Sequence, residues 1–241
     1  MHQQLFISDL HLAPERPEII HLFVRFCHEI ASQYRTLYIL GDFVEYWLGD
    51  DDDASGLQPA FDALHSLAEH DTQVLFMHGN RDFLIGDALA ARCNFNIIPD
   101  PAIIQISQHA ALLMHGDTLC TDDVDYMKFR RMVRDTAFQN DFLARPLQER
   151  RQIARSMRGS SQLATAAKKP EIMDVNQDAV DTIMQQHNVN LLIHGHTHRP
   201  AIHQFDIGES RCTRVVLGDW YEKGSYLVID KPDAPVLMDF E

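Results

Sequence analysis

The sequence lacks the features that mark several large classes of protein. No apolar run approaches the roughly 18 residues that a transmembrane helix needs, so we expect none. The N-terminus has no basic region followed by an apolar run and a cleavage site, so we also expect no signal peptide. No low-complexity tract or internal repeat stands out. With 241 residues, 45% hydrophobic and 23% charged, the composition is typical of a soluble globular protein.

Cysteine is scarce, and its spacing excludes two further classes. The four cysteines lie far apart, and no two of them form a CxxC pair. Disulfide frameworks and zinc ribbons depend on regular, close spacing, so the pattern favours reduced thiols. The residues are Cys27, Cys93, Cys120 and Cys212.

Positive charge is also scarce, but it is unevenly spread. The formal net charge of −14 argues against a nucleic-acid partner, which usually needs a basic face. Residues 123–172 nevertheless hold 11 Lys and Arg against 6 Asp and Glu, whereas the remainder holds 10 against 29. This basic segment is either a solvated helical face or a site for an anionic surface or head group. Nothing in the sequence indicates a protein partner.

Five short apolar runs each end in polar residues. The runs lack alternation, which is typical of strands buried on both faces. Helical periodicity at 17–34, 57–70 and, more weakly, 83–93 separates the first four runs, so we predict an α/β fold. The runs begin at Leu5, Leu37, Val74, Ala111 and Leu191.

The rhythm changes in the second half of the chain. Residues 123–172 are helical by pattern and contain no evident strand, so we predict a helical cap inserted into a single domain that spans 1–241. A further helix should end near Gln186. The tail segments 214–217 and 225–229 are predicted to be edge strands, and a hairpin is expected around Gly208.

Each of the five predicted strands ends in a side chain that could bind a metal. Ligands in α/β sheets gather at the carboxyl ends of strands, and Asp, Asn and His suit Mn, Fe or Zn. Two of the ligand pairs are spaced two residues apart, which would point both side chains the same way in extended chain. Seven ligands suffice for two metals about 3.5–4 Å apart, which is the arrangement of a two-metal phosphoesterase. The residues are Asp9, His11, Asp42, Asn80, His115, His196 and His198.

Other acidic residues and glycines surround this set. Gly41, Gly79, Gly116 and Gly195 leave room next to the ligands. We expect Asp117 and Asp219 to accept hydrogen bonds from ligand imidazoles. The acidic run 50–53 is either a solvated loop, which we favour, or a third cation site.

The ordered strings DxH, GD, GN, HGD and GHTH over residues 5–199 resemble the calcineurin-like metallophosphoesterases. The resemblance implies a two-sheet β-sandwich flanked by helices. It also implies that Asp42 bridges two metals. One metal would be bound by Asp9, His11 and His198, and the other by Asn80, His115 and His196.

The sequence departs from the common family pattern at Arg81, because most members have His after Gly-Asn. Arginine cannot act as an acid, but it pairs bidentately with phosphate oxygens. An alkoxide leaving group needs a general acid, whereas a phosphate, with a second pKa of about 6, does not. Arg81 therefore favours cleavage of a pyrophosphate over a simple monoester.

Longer strings at 47–52, 79–84, 115–123, 172–177 and 194–200 are similar to one branch of this family. That branch hydrolyses UDP-2,3-diacylglucosamine to UMP and 2,3-diacylglucosamine 1-phosphate in lipid A biosynthesis, with two Mn²⁺ ions activating the water that attacks the α-phosphorus. Independently of the similarity, cationic residues of the cap could attract the chain to anionic lipid head groups, so we predict peripheral, salt-sensitive association with the cytoplasmic face of the inner membrane.

The similarity also implies functional residues. The implied catalytic residues are Asp42, Asn80, Arg81, His115 and His196. At one implied substrate contact, Thr165, the branch often has Asn. The implied substrate contacts are Asn80, Arg81, Asp123, Ser161, Thr165, Lys168 and His196.

Three rival interpretations remain open. A phosphoesterase for dinucleoside polyphosphates or cyclic nucleotides would share the metal site but need a polar cleft. A nuclease of the same fold conflicts with the overall acidity. A scaffold without catalysis should lack at least one ligand, whereas this chain has candidates at all seven positions.

Overall fold

Two β-sheets form the centre of the molecule. The computed structural model describes residues 4–166, 168, 170–229 and 234–241, and within these the side chains of all residues except 158, 160–166 and 170–171. The first sheet has six strands in the order β11-β10-β1-β2-β3-β4. Strands β1 to β4 are parallel, and β10 and β11 are antiparallel to their neighbours. These strands are β1 Gln4–Ile7, β2 Thr36–Leu40, β3 Gln73–Met77, β4 Phe95–Ile98, β10 Gly224–Ile229 and β11 Pro235–Phe240.

The second sheet has five strands in the order β5-β6-β7-β9-β8. Its three central strands are parallel to one another, and the two edge strands run antiparallel to them. The β8–β9 hairpin turns at Gly208, whose φ is 60°. The strands are β5 Ala102–Ile106, β6 His109–Met114, β7 Leu191–His194, β8 Ala201–Ile207 and β9 Ser210–Val216.

The sheets pack face to face, and both faces of the central strands are buried. In β1, Phe6 points into the layer between the sheets and stacks on Tyr38 with ring centroids 4.8 Å apart. Its neighbours Leu5 and Ile7 point the other way, into the core beneath the flanking helices. Burial on both sides explains why the sequence of β1 shows an unbroken apolar run.

Helices cover the outer faces of the sandwich. Helices α1 Pro17–Glu29, α2 Gln58–Ser66 and α3 Asp87–Cys93 share a core with the first sheet. Helix α7 Gln177–His187 shares a core with the second sheet through Val180 and Met184. These apolar contacts place the strand ends on a rigid base.

Three helices lie between β6 and β7 in the chain: α4 Val124–Val133, α5 Thr136–Leu143 and α6 Leu147–Ala166. The side chains of Asp123 and Asp135 cap the first two helices by accepting backbone N–H bonds. We call α4, α5 and α6 the cap helices. Within the part of the chain that the structure describes, no helix is both long enough and apolar enough to cross a bilayer.

The structure confirms the five predicted strands and the two-sheet sandwich with flanking helices. One prediction was wrong, because β9 and β10 are not edge strands. Each has a neighbour on both sides, and the edges are formed by β4, β11, β5 and β8. The prediction missed β4, β5 and β11, whose mixed polar and apolar residues follow the half-exposed faces of strands at or near an edge. The four cysteines are buried free thiols.

Candidate metal centre

The loops after β1 and β2 run side by side and carry three of the predicted ligands. Backbone hydrogen bonds continue beyond the strands, from Asp9 N to the Gly41 carbonyl over 3.0 Å. The next such bond runs from His11 N to the Asp42 carbonyl over 2.9 Å. Because the parallel pairing is prolonged in this way, the side chains of Asp9, His11 and Asp42 are brought to one place.

Most of the predicted ligands have an unusual backbone conformation. Residues other than glycine rarely adopt a positive φ, which costs on the order of 1–3 kcal/mol and occurs most often at functional sites. The extended geometry expected for the pairs at 9 and 11 and at 196 and 198 is therefore wrong. Tight left-handed turns bring the side chains together instead. Positive φ angles of 48–69° occur at Asp9, His11, Asp42, His196 and His198.

The first cluster consists of Asp9, His11 and His198. The Nε2 atoms of the two imidazoles are 3.3 Å apart, and His198 Nε2 lies 3.4 Å from Asp9 Oδ1. One ligand atom from each of the three residues lies within 4.8 Å of the others. Two imidazole nitrogens and one carboxylate oxygen thus face a common point.

The second cluster consists of Asp42, Asn80, His115 and His196. Asn80 Oδ1 lies 3.0 Å from His115 Nε2 and 2.9 Å from His196 Nδ1. Asp42 Oδ1 is 3.8 Å from His115 Nε2, while Asp42 Oδ2 is 3.7 Å from His11 Nε2 in the first cluster. One carboxylate therefore presents an oxygen to each cluster, as a bridging ligand must.

Two imidazoles are oriented by partners outside the clusters. His115 Nδ1 lies 2.9 Å from the Leu40 carbonyl oxygen, to which it can only donate, so Nε2 is the ring nitrogen that faces the second cluster. His11 Nδ1 lies 3.0 Å from the Glu45 carboxylate, and the other ring nitrogen, Nε2, faces His198 and Asp42. The sequence analysis missed Glu45, whose position depends on the continued pairing of the β1 and β2 loops.

The two acidic residues expected to support imidazoles differ. Asp219 lies 3.5 Å from His198 Nδ1 and is placed for that role. Asp117 does not accept from an imidazole among the described hydrogen bonds. Its Oδ2 instead accepts from the Tyr126 hydroxyl and from Arg130 Nε, each over 2.6 Å. Asp117 therefore ties α4 to the loop after β6, and both donors were missed because they lie in the cap.

Glycine is required where the loops touch the ligands. A Cβ atom on Gly79 would lie 2.2 Å from Asp42 Oδ1. A Cβ atom on Gly195 would lie 2.3 Å from Asp9 Oδ2. Any side chain at either position would displace a carboxylate of the centre.

The electrostatics of the centre favour a bound cation. Burial alone would lower the pKa of His115, but the carboxylates of Asp42, Asp117 and Asp9 outweigh it and raise the pKa to about 9. Burial would raise the pKa of Asp9, but the adjacent imidazole of His198 holds it well below its usual range. For His196, burial and the neighbouring charge of His115 lower the pKa to about 4. The site thus attracts positive charge at one imidazole and keeps another neutral.

The donor set fits a pair of divalent ions. Asp9 Oδ1 is fully buried and has no hydrogen-bond partner among the described residues, although a buried polar atom normally has one. A cation at the first cluster would satisfy this oxygen and the two facing imidazole nitrogens. The mixture of carboxylate, amide and imidazole donors suits Mn, Fe or Zn.

An apolar cavity of about 550 Å³ adjoins the centre. Asn80 and Arg81 line it at the metal side, and its volume is in the range of small-molecule sites. Its walls come from both the core and the cap helices. Aromatic and apolar wall residues include Trp47, Leu48, Phe83, Leu84, Tyr126, Phe129, Phe138, Phe142 and Met157.

The predicted substrate contacts lie in two places. Asn80 and His196 lie in the second cluster, and Arg81 follows Asn80 on the cavity wall. Asp123 and Lys168 pair with each other, with Lys168 Nζ 2.8 Å from Oδ1 and 2.6 Å from Oδ2. The side chains of the remaining two, at 161 and 165, lie outside the described residues.

The loop at 50–53 is solvated at two positions, as predicted, because the side chains of Asp51 and Asp53 are exposed, but its acidic groups also have partners within the protein. Asp50 accepts the backbone N–H groups of three residues at the start of α3. Asp51 pairs with Arg150 of α6, while Asp52 and Asp53 pair with Arg151 over 2.8 and 3.2 Å. The acidic run therefore joins the core to the cap helices, because its charge is matched by arginines about a hundred residues away in sequence.

The fold and this centre define a class, and the chain belongs to the calcineurin-like phosphoesterase family, whose profile matches residues 3–200. Among its relatives is the UDP-2,3-diacylglucosamine hydrolase of Aromatoleum aromaticum, 47% identical over 98% of this chain and 96% of that protein. The Stenotrophomonas maltophilia (strain K279a) protein of the same name is 47% identical over 94% of each chain.

Proposed function

We propose that the protein hydrolyses UDP-2,3-diacylglucosamine at its pyrophosphate, releasing UMP and 2,3-diacylglucosamine 1-phosphate. The relatives with this name match almost the whole chain at 47% identity. The observation that carries the proposal is the apolar cavity that adjoins the paired ligand clusters at Asn80 and Arg81. Acyl chains need an apolar space, and a pyrophosphate needs cations next to it.

The two clusters would hold Mn²⁺, with Asp42 shared between them. When bound, such a pair of ions polarises phosphoryl oxygens and lowers the pKa of a coordinated water. Asn80 and His196 would position the substrate by holding its α-phosphate against the second cluster. The buried carboxylates of Asp9, Asp42 and Asp117 keep the centre attractive to cations.

Arg81 would bind the phosphate that leaves with the acylated sugar. Its backbone N–H donates to Asp42 Oδ1 over 2.8 Å, which fixes it next to the bridging carboxylate. A guanidinium stabilises charge on phosphate oxygens without transferring a proton. We expect Arg81→Ala to lower kcat on the pyrophosphate substrate by about 100-fold. Unchanged turnover of this substrate, together with normal metal content, would remove Arg81 from the reaction.

The proposed reaction is tested by incubating the protein with UDP-2,3-diacylglucosamine and Mn²⁺ and measuring UMP by chromatography. Dinucleoside polyphosphates and cyclic nucleotides, assayed in parallel, represent the rival nucleotide phosphoesterase. Faster turnover of the lipid substrate supports the proposal, because only that substrate uses the apolar cavity. If nucleotides without acyl chains turned over faster, the rival would be preferred. Parallel assays with Fe²⁺ and Zn²⁺ identify the preferred metal.

The cap helices would also bring the protein to an anionic membrane surface. Large side chains of the cavity wall and of the cap helices are exposed, including Tyr46, Phe129, Met132 and Leu143. Each basic residue of the cap helices that lies near anionic lipid would add about 1 kcal/mol to the free energy of membrane binding. We expect sedimentation with phosphatidylglycerol vesicles at low salt and release at high salt. Failure to bind such vesicles at low salt would contradict a peripheral location at the cytoplasmic face of the inner membrane.

A further inference from the structure

One large aromatic side chain touches the centre but takes no part in the cavity wall. Tyr221 lies between β9 and β10, and 49% of its surface is exposed. Its ring centroid is 5.5 Å from that of His11, with the two planes 8° from parallel, and 5.5 Å from that of His198. Tyr221 thus borders the first cluster, whereas the cavity wall contains neither it nor either imidazole.

The backbone around Tyr221 is firmly held. Arg16 Nη2 donates to the carbonyls of Trp220 and Tyr221 over 2.9 and 3.0 Å, and the Arg16 guanidinium carbon lies 4.9 Å from the tyrosine ring centroid. Trp220 is fully buried, and its backbone N–H donates to the Asp9 carbonyl over 3.1 Å. The ring is therefore positioned before any ligand arrives, which limits the entropy lost on binding.

The substrate of the proposed reaction needs a second binding surface beside the centre. Its scissile pyrophosphate must contact both clusters, and its acylated half would occupy the apolar cavity next to Asn80. The nucleoside half must then extend beyond the phosphates to a place outside that cavity. A nucleobase has a flat π face, and stacking on an aromatic side chain is worth about 1–3 kcal/mol per base.

We propose that Tyr221 is the stacking surface for the nucleobase of the nucleoside monophosphate half of the substrate. This inference rests on the proposed function, because it assumes a nucleotide on one side of the scissile bond. The exposed part of the tyrosine ring receives the base, and the nearby Arg16 adds positive charge beside a ligand that carries phosphate.

The test compares two ligands that differ only in the base. UMP and ribose 5-phosphate are titrated calorimetrically into Mn²⁺-loaded wild type, Tyr221→Ala, Tyr221→Phe and Tyr221→Trp. We expect wild type to bind UMP more tightly than ribose 5-phosphate. Tyr221→Ala should lose about 10-fold or more in UMP affinity and nothing in ribose 5-phosphate affinity. The Phe and Trp variants should bind UMP like wild type, because both rings can stack.

Met238→Ala is the control, since Met238 is a large apolar side chain with 43% exposure on β11 and is not part of the cavity wall. Its UMP affinity should equal that of wild type. The inference is overturned if Tyr221→Ala binds UMP like wild type, or if it loses affinity for both ligands equally, which would indicate damage to the metal centre. Equal affinity of wild type for both ligands also overturns it. A wild type that binds UMP through its base but releases none from the lipid substrate would contradict the proposed function alone.

Discussion

The ligand loops and the cap helices are built in opposite ways. In the loops after the central strands, the candidate ligands Asp9, Asp42 and His115 are almost fully buried and fixed by backbone contacts. Among the described residues of the cap helices, the buried ones are Val133, Phe142 and Arg150. The contacts between these helices and the core are largely ion pairs. The chemical centre is rigid, whereas the wall that would hold the lipid is anchored at a few points.

This difference has a physical origin. Five strained left-handed residues persist only where surrounding packing over-determines them, and the sandwich core supplies that packing. Exposed ion pairs contribute at most about 1 kcal/mol each, so helices joined by them open more readily than core strands. We therefore expect substitutions of the ligands in the loops to abolish turnover. Substitutions in the cap helices should instead lower the free energy of unfolding by a few kcal/mol or less.

The largest effect is expected from Asp42→Ala, which breaks the rigid region at its centre. The carboxylate presents one oxygen to each cluster, so its loss should weaken both metal sites. Loss of a residue that only supports a metal ligand typically lowers metal affinity or activity by 10–100-fold. Loss of a ligand shared by both metals should have a larger effect, and we expect turnover to fall by about 1,000-fold or more. Bound metal, measured by mass spectrometry, should fall below two ions per chain.

Asp62→Ala is the control for this change, because Asp62 is exposed on α2 and belongs to neither ligand cluster. It should keep wild-type turnover and metal content. Full metal occupancy in Asp42→Ala would contradict the bridging role, even if turnover were lost.

The sequence located both the ligand residues and the helical segment at 123–172, but it did not reveal how the cap helices contact the core. Unbroken apolar runs ending in Asp, Asn or His identify strands buried on both faces, and parallel strand ends must meet at one sheet edge. The left-handed turns at Asp9 and His196 could not be predicted, because nothing in a single residue type requires them. The partners of Asp51 and Asp117 were also hidden, since arginines on helices are common and their contacts depend on how the cap docks.

The second prediction concerns Arg150, which anchors the cap to the core. Only 1% of its surface is exposed, and its guanidinium donates to the Leu48 carbonyl and to Asp51. Arg150→Ala leaves the buried carbonyl without a donor and removes a packed side chain, so we expect a loss of about 3 kcal/mol in the free energy of unfolding. Urea denaturation of metal-free protein measures it. Arg155→Ala, an exposed change on the same helix, should cost less than about 0.5 kcal/mol; equal effects would show that Arg150 is no anchor.

The third prediction concerns Asp100, which lies where the two regions meet. Burial and the charge of Asp117 raise its pKa to about 6, despite the opposing charges of His115, Arg130 and Arg134. The unfolded chain releases this proton near pH 4, so the folded state holds an extra proton between about pH 4 and 6. The free energy of unfolding therefore falls as pH rises through that window, and the destabilisation by Asp100 reaches its full size above it.

Asp100→Asn removes this destabilisation, because asparagine carries no charge at any pH. We expect the variant to be about 3 kcal/mol more stable than wild type above pH 7, with the difference disappearing below about pH 4. Urea denaturation of both metal-free proteins across this pH range measures the difference in the free energy of unfolding. The other titrating groups are the same in both proteins, so their contributions cancel. Asp71→Asn is the control, because Asp71 is exposed and its left-handed backbone suits Asn equally. A difference that does not change with pH would contradict a buried, proton-binding Asp100.

The smallest effect is expected at Arg151, next to the buried anchor. Its guanidinium pairs with Asp52 over 2.8 Å and with Asp53 over 3.2 Å, but 42% of its side chain is exposed. Water and salt screen such pairs, so Arg151→Ala should cost at most about 1 kcal/mol, and almost nothing in 1 M salt. A double-mutant cycle with Asp52→Ala isolates the pair. A coupling above about 2 kcal/mol that persists in 1 M salt would show that the cap is fixed as firmly as the ligand loops, and the contrast between the two regions would fail.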